Sequence, residues 1–231
     1  MKWTMPVLAA LCAALTPAAA AERSYSVTDF DRVQVDGPYE VRVVTGRSSS
    51  ARASGTQQAL DRVSVDVQGR TLRVRENRNA WGTSREAAGS PVTVELSTRL
   101  VRAATVIGPG SLTVAGAQGL KVDLALSGSG MLAVTGVDAD ALSVGLIGSG
   151  AITLAGKAKQ MRATVRGGGD LDARALATED TQLSTASNGS VVVAAKRTAK
   201  VAASGQGSVE VIGTPSCTVS GPTSARVQCG K

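Results

Sequence analysis

The chain has 231 residues and a formal charge of +7; 43% of its residues are hydrophobic but only 2% are aromatic. It contains no histidine, which removes the Ser–His and Cys–His nucleophile pairs and the most used general base. With so few rings, stacking platforms for bases or sugars are scarce, and a core must be a narrow one of Val, Leu, Ile and Ala.

The first residues read as a secretory signal peptide. Lys2 supplies a charge, Met5 to Leu15 is an apolar run, and "TPAAAAERS" offers A-x-A cleavage sites before Glu22, so residues 1–21 are expected to leave on export. The run is shorter than the about 20 apolar residues that a membrane span needs, and no span is expected in the mature chain. Cys12 sits inside the run with Ala9, not leucine, three places earlier; it is read as part of the discarded segment. The expected location is the periplasm or the cell surface of a bacterium, where nucleic acid is not an expected partner.

Residues 22–105 alternate apolar and polar positions without a strict period. The runs are "RVQV" (Val33, Val35), "EVRVV" (Val41, Val43), "RVSVDV" (Val63, Val65, Val67), "TLRV" (Leu72, Val74) and "VTVEL" (Val92, Val94, Leu96). Such alternation is strand periodicity with one face buried. Positive charge is densest in "RTLRVRENR", from Arg70 to Arg78, and is read as a solvated strand face. A polar loop, Glu76 to Ser90, interrupts the strands. It holds Trp81, the one tryptophan outside the signal segment, flanked by Arg78, Asn79 and Arg85. Trp81 with Arg85 is a candidate anchor for a glycan or protein partner; equally, Trp81 folds back to cover an apolar end.

From residue 106 to residue 213 the sequence repeats. Glycines at 110, 130, 150, 169, 189 and 207 are spaced by 20, 20, 19, 20 and 18 residues. Two places after each stands Leu112, Leu132, Ile152, Leu171, Val191 or Val209, and six places after stands Gly116, Gly136, Gly156, Ala175, Ala195 or Gly213. A second alternating run follows in the early copies, as in "LKVDLAL" (Leu120 to Leu126). The unit is therefore glycine corner, strand, small-residue turn, strand, with no helical pattern. A unit of this length cannot bury its own apolar face and must stack on its neighbours. The expected fold is an all-β, single-domain parallel β-helix, or β-solenoid, with coils of about 20 residues. Residues 22–105 form irregular first coils, and Leu112, Leu132, Ile152, Leu171, Val191 and Val209 form one interior ladder at about 4.8 Å per coil. Gly110, Gly130, Gly150, Gly169, Gly189 and Gly207 are corners, where the backbone bends and can take positive φ.

Residues 214–231 hold Cys217 and Cys229, an even pair in an exported chain, which favours a disulfide and a C-terminal cap. Two thiols without histidine do not make a four-ligand metal site.

Two stretches invite a chemical reading. Gly128, Gly130 and Ala133 spell a dinucleotide-binding pattern, but that pattern needs a helix after it and an acid about 20 residues on. Here a strand, "MLAVTG", follows and position 150 is glycine, so it is a corner, and no cofactor is expected. In "RGGGDLDAR" the carboxylates Asp170 and Asp172 share the outer face of a strand. Calcium turns of this type bind by repetition, whereas the other coils carry Ser111, Met131, Ala151 and Ser190 at the Asp170 position. The same pair suits glycoside hydrolysis, but lacks an aromatic sugar platform.

The residues also resemble a family of exported bacterial proteins called putative auto-transporter adhesins with a head GIN domain. The resemblance rests on "FDRVQVDGPYEVRVVTG" (30–46), "LDRVSVDVQGRTLRV" (60–74), "PVTVEL" and the repeated GSG-x-[LI] corners. It implies a β-helical fold and export, and no established activity. Autotransporters proper end in a membrane barrel, for which a chain ending at Lys231 leaves no room, so self-export by that route is not expected. The expected function is a non-enzymatic binding or structural surface of the bacterial envelope, with a glycan, an envelope polymer or another envelope protein as partner. Two alternatives remain: a carbohydrate-active enzyme using Asp170 and Asp172, and a scaffold that self-associates end to end.

Overall fold

Alternation of apolar and polar residues turns nearly every predicted run into a strand. A computed structural model describes residues 21–77, 92–221 and 226–230; all but the last residue of the expected signal peptide, 1–21, lie outside them. The chain forms β1 (Ala21–Tyr25), β2 (Arg32–Asp36), β3 (Glu40–Thr45), β4 (Ser50–Gly55), α1 (Gln57–Asp61), β5 (Val63–Gln68) and β6 (Thr71–Glu76). From residue 92 onward come β7 (Thr93–Thr98), β8 (Ala103–Ile107), β9 (Ser111–Val114), β10 (Ala117–Gly128), β11 (Met131–Gly148), β12 (Ala151–Gly167) and β13 (Asp170–Ser187). The last are β14 (Ser190–Ala194), β15 (Thr198–Ser204), β16 (Ser208–Ile212), β17 (Ser216–Ser220) and β18 (Arg226–Cys229). Among the described residues no helix is long and apolar enough to cross a membrane.

The strands stack as a β-solenoid. A first parallel ladder joins β3, β9, the opening residues of β11, β12 and β13, then β14, β16 and β18. A second joins β2, β8, the closing residues of β10 to β13, then β15 and β17. Leu112, Leu132, Ile152, Leu171, Val191 and Val209 fall in register in the first ladder and are all buried, as the repeat requires. Leu126, Leu146 and Val165 face them from the second.

Four features differ from the expected pattern. First, the small-residue turn is not a clean break between two strands. At Gly136 (φ 72°) and Gly156 (φ 132°) the strand continues through a bulge, and a short third side follows, residues 137–141 in β11, with Val137 and Ala139 inward. After Ala195 this side is replaced by Lys196 and Arg197, which shortens the coil from Gly189 to Gly207 to 18 residues. There the buried hydroxyls of Thr178 and Thr181 both donate to the Ala194 carbonyl, at 2.5 and 3.2 Å, satisfying a polar group inside the core.

Second, the first coils are stacked out of chain order. β2 and β3 are laid down first, β6 and β7 then pair on one side of them, and β8 and β9 on the other. Beyond β6 and β7 the sheets end in antiparallel strands: β5 on β6, β4 on β7 and β1 on β4. Third, this end contains α1, capped by Thr56 Oγ1, which accepts from Ala59 N at 3.2 Å. Ala59 and Leu60 pack inward from it. Five residues are too few to reveal a period of 3.6.

Fourth, the C-terminal segment, which carries the expected disulfide, adds a rung to each ladder. Cys217 lies on Ala199 and Cys229 on Val211. The two point inward from opposite ladders and form a disulfide. The core thins on the way there: Leu146, Val165, Thr185 and Ala203 succeed one another in one column, and Val219 on β17 is 51% exposed.

Where a corner carries two glycines they have different tasks; the corner ending at Gly189 has Ser187 in the first place. Gly128 has φ 126°, a conformation that side chains with a Cβ rarely adopt. Gly130 does not; a Cβ there would stand 2.2 Å from the Gly110 carbonyl oxygen of the coil before. Corner glycine thus serves close stacking as much as bending. Gly145, on the outer face of β11, has nothing within 4 Å of such a Cβ. Gly130→Ala should therefore lower stability in urea unfolding by about 1–3 kcal/mol or more, while Gly145→Ala stays within about 0.5 kcal/mol of the parent. The double variant Cys217→Ser/Cys229→Ser should lose about 3 kcal/mol, with hydrogen-exchange protection falling first in β17 and β18.

Candidate functional site

On the outer side of the second ladder, residues about 20 apart in sequence become neighbours. Lys121, Ala141, Gln160, Asp180 and Thr198 form one column across five coils. Asp123, Ser143, Arg162, Gln182 and Lys200 form the next. A groove of about 540 Å³ runs over these columns. Four steps of about 4.8 Å give it a length of about 19 Å along the stack. Its lining includes the small Ala141 and Ser143 and the long side chains of Lys121, Arg162, Arg197 and Lys200.

Its charges are arranged by specific bonds. Arg197 Nε donates to Asp180 Oδ1 at 3.0 Å and its terminal nitrogen to Asp180 Oδ2; Thr198 Oγ1 donates to Oδ1 at 2.6 Å. The bond from Arg197, then that from Thr198, pulls the Asp180 carboxyl from its ordinary 3.8 down to about 2. The same pair holds Arg197 above its ordinary range. Lys121 lies 3.2 Å from Asp123. Arg162 donates through Nε and a terminal nitrogen to one atom, Gln182 Oε1, at 3.1 and 3.0 Å.

The candidates read from sequence lie elsewhere. Asp170 and Asp172 do share the outer face of β13, on the first ladder. Each is engaged separately: Asp170 Oδ1 accepts from Ser190 N in the next coil at 2.7 Å, and Asp172 Oδ1 accepts from Arg174 N and Nε at 3.1 and 2.9 Å. Among the described residues no group of three or more His, Cys, Asp or Glu side chains is placed to hold a metal. Trp81 and Arg85 lie outside the described residues. At the Gly128–Gly130 corner, the amides that a phosphate would need are already donated: Gly130 N to Gly108 O at 2.9 Å and Met131 N to Gly110 O at 3.0 Å.

The groove residues carry no motif along the chain. The signal that finds them is the repeat itself, aligned on Lys121 and Asp123 instead of on the glycines.

The "FDRV" stretch is a structural clamp. Phe30 is buried, and its carbonyl accepts from Thr98 Oγ1. Asp31 is buried too, and its Oδ2 lies 2.9 Å from Arg70 on one neighbouring coil and 3.9 Å from Arg102 on the other.

A parallel β-solenoid with an outward groove and a stapled last coil defines the class of protein. The model of the family described as "Putative auto-transporter adhesin, head GIN domain" matches residues 29–215, and the chain belongs to that family. Three solved structures share the fold at low identity. A "putative adhesin" from Bacteroides fragilis NCTC 9343 matches with TM-score 0.80 at 18% identity, over 92% of this chain and 97% of that one. A "putative lipid binding protein" from Parabacteroides distasonis ATCC 8503 matches with TM-score 0.68 at 17% identity, over 90% and 95%. A "putative adhesin" from Parabacteroides merdae ATCC 43184 matches with TM-score 0.67 at 16% identity, over 90% and 95%. No curated protein matches the sequence.

The Asp180 pair has a definite pH signature. A carboxyl whose folded pKa is depressed contributes stability that is present above the unfolded value, near 3.8, and is lost as pH falls through about 2. Carboxyl NMR titration should find Asp180 ionised until pH approaches about 2, and Arg197→Gln should return its midpoint toward 3.8.

Proposed function

We propose that this chain is an exported protein of the bacterial envelope that binds and does not catalyse, holding an extended ligand along the groove of the second ladder. The observation that carries the reading is the groove's run across five coils, with outward side chains repeating at each step. A surface of that period suits a polymer better than a small compact molecule. The family description and the names of two neighbours speak of adhesins, and the signal segment supports export to the periplasm or surface. Catalysis by paired carboxylates draws no support from the geometry. Asp170 and Asp172 are each occupied by a scaffold donor, and Asp180 is held ionised well below neutral pH, so it cannot supply a proton as a general acid.

The test is a binding screen of the mature protein against glycan and peptidoglycan arrays. At least one polymer should be retained, and Ser143→Trp, which fills the groove, should weaken retention by about tenfold or more, corresponding to about 1.4 kcal/mol. Trp81→Ala tests the loop in parallel. Retention unaffected by Ser143→Trp and lost in Trp81→Ala would move the site to the loop; no retention by any polymer would remove the groove reading.

A further inference from the structure

Resting on the groove reading, we infer that its ligand is a linear acidic glycan, its carboxylates received by Arg162 and Lys200. The inference starts from which cations the fold has already used. On the third side, Lys157 meets Asp138 at 3.3 Å and Lys159 meets Asp140 at 2.7 Å, each pair joining adjacent coils. In the groove, Lys121 has Asp123 and Arg197 has Asp180. Arg162 and Lys200 have no carboxylate partner among the described residues. Two positive charges therefore stand in one concave surface without a salt bridge, Lys200 adding only a weaker charge–charge attraction to Asp180.

Arg162 is also held ready. Two of its five donors are fixed on the neutral Gln182 oxygen, which orders the guanidinium without cancelling its charge and leaves three donors free. A planar guanidinium matches a carboxylate with two parallel hydrogen bonds. Lys200 stands in the same column with Gln182 between them, two coil steps or about 10 Å away. That is the spacing of acid groups in an extended glycan that carries one on every second sugar. Between and beside the two charges the surface offers amides and hydroxyls, Gln182 between them and Gln160, Ser143 and Thr198 around them, as partners for sugar oxygens. It offers no aromatic ring on which a neutral sugar would stack. Affinity must come from charge and hydrogen bonds, and both favour an acidic chain. Asp180 does not oppose this, because Arg197 and Thr198 occupy both its oxygens.

The experiment uses the mature protein with three immobilised probes: hyaluronate, with an acid on alternate sugars; dextran, which is neutral; and polyphosphate. Hyaluronate should be retained at low salt and released as salt rises, and dextran should pass through. Arg162→Gln and Lys200→Gln should each weaken hyaluronate binding by about tenfold, the scale of one charge-assisted hydrogen bond, while Lys159→Gln on the third side leaves it unchanged. All three side chains are exposed, and their circular dichroism should match the parent's. Hyaluronate binding that survives both groove substitutions would overturn the inference, as would stronger retention on polyphosphate. Dextran bound as well as hyaluronate, and lost in Ser143→Trp, would overturn the acidic ligand while leaving the groove reading intact.

Discussion

At each corner of the regular coils one backbone lies directly on another. A Cβ at Gly150 would stand 2.4 Å from the Gly130 oxygen, and one at Gly169 the same distance from the Gly150 oxygen. Contact this close is what lets Met131 N, Ala151 N and Asp170 N each donate to the glycine carbonyl of the coil before. Those bonds fix the register for the strands on either side. A slip by one residue would turn every inward Leu or Val outward, so the corner specifies the whole cross-section. Any larger residue at the second glycine acts on all three sides at once.

Given that register, modest materials suffice for the interior of the regular coils. Each buries a few aliphatic side chains, at roughly 1.5–3 kcal/mol apiece, and the buried rings, Phe30 and Tyr39, belong to the first coils. The taper from Leu146 through Val165 and Thr185 to Ala203 reduces what each successive coil contributes. The Cys217–Cys229 bond stands where hydrophobic burial is weakest. The two ends are therefore finished by different means. Antiparallel strands and α1 follow the last parallel rung at the N-terminal end, which blunts a sheet edge. A covalent cross-link holds the final rung at the other end.

The repeat made the regular coils legible because the inward positions of the first ladder carry an aliphatic residue in coil after coil. The six-residue ladder beginning at Leu112 could be written down from spacing alone. The N-terminal coils obey the same alternation, but alternation does not say which strand a strand pairs with. β6 on one side of β2 and β8 on the other is a choice made by long-range packing and by Asp31 between two arginines. The third side was hidden because Val137 and Ala139 read as part of a turn between two better runs. The groove was hidden for a related reason: inward positions are alike in every coil, whereas outward ones are Lys, Ala, Gln, Asp and Thr in a single column. Dissimilar residues about 20 apart leave no motif.

That dissimilarity is also what gives the outer surface its chemistry. The solenoid positions outward side chains with strand-spacing regularity whatever they are, so specificity can be written column by column at little cost to the fold. Acids on this surface are mostly taken up by the scaffold: Asp170 by the Ser190 amide, Asp172 by Arg174, Asp138 and Asp140 by lysines one coil on. Among the described residues, cations without a salt bridge stand at other places on the surface too, Arg32, Arg47 and Arg166 among them, but Arg162 and Lys200 share one groove. The groove has no aromatic ring in its lining and the chain has no histidine, so what its outer columns can vary is the spacing of charges and hydrogen-bonding groups.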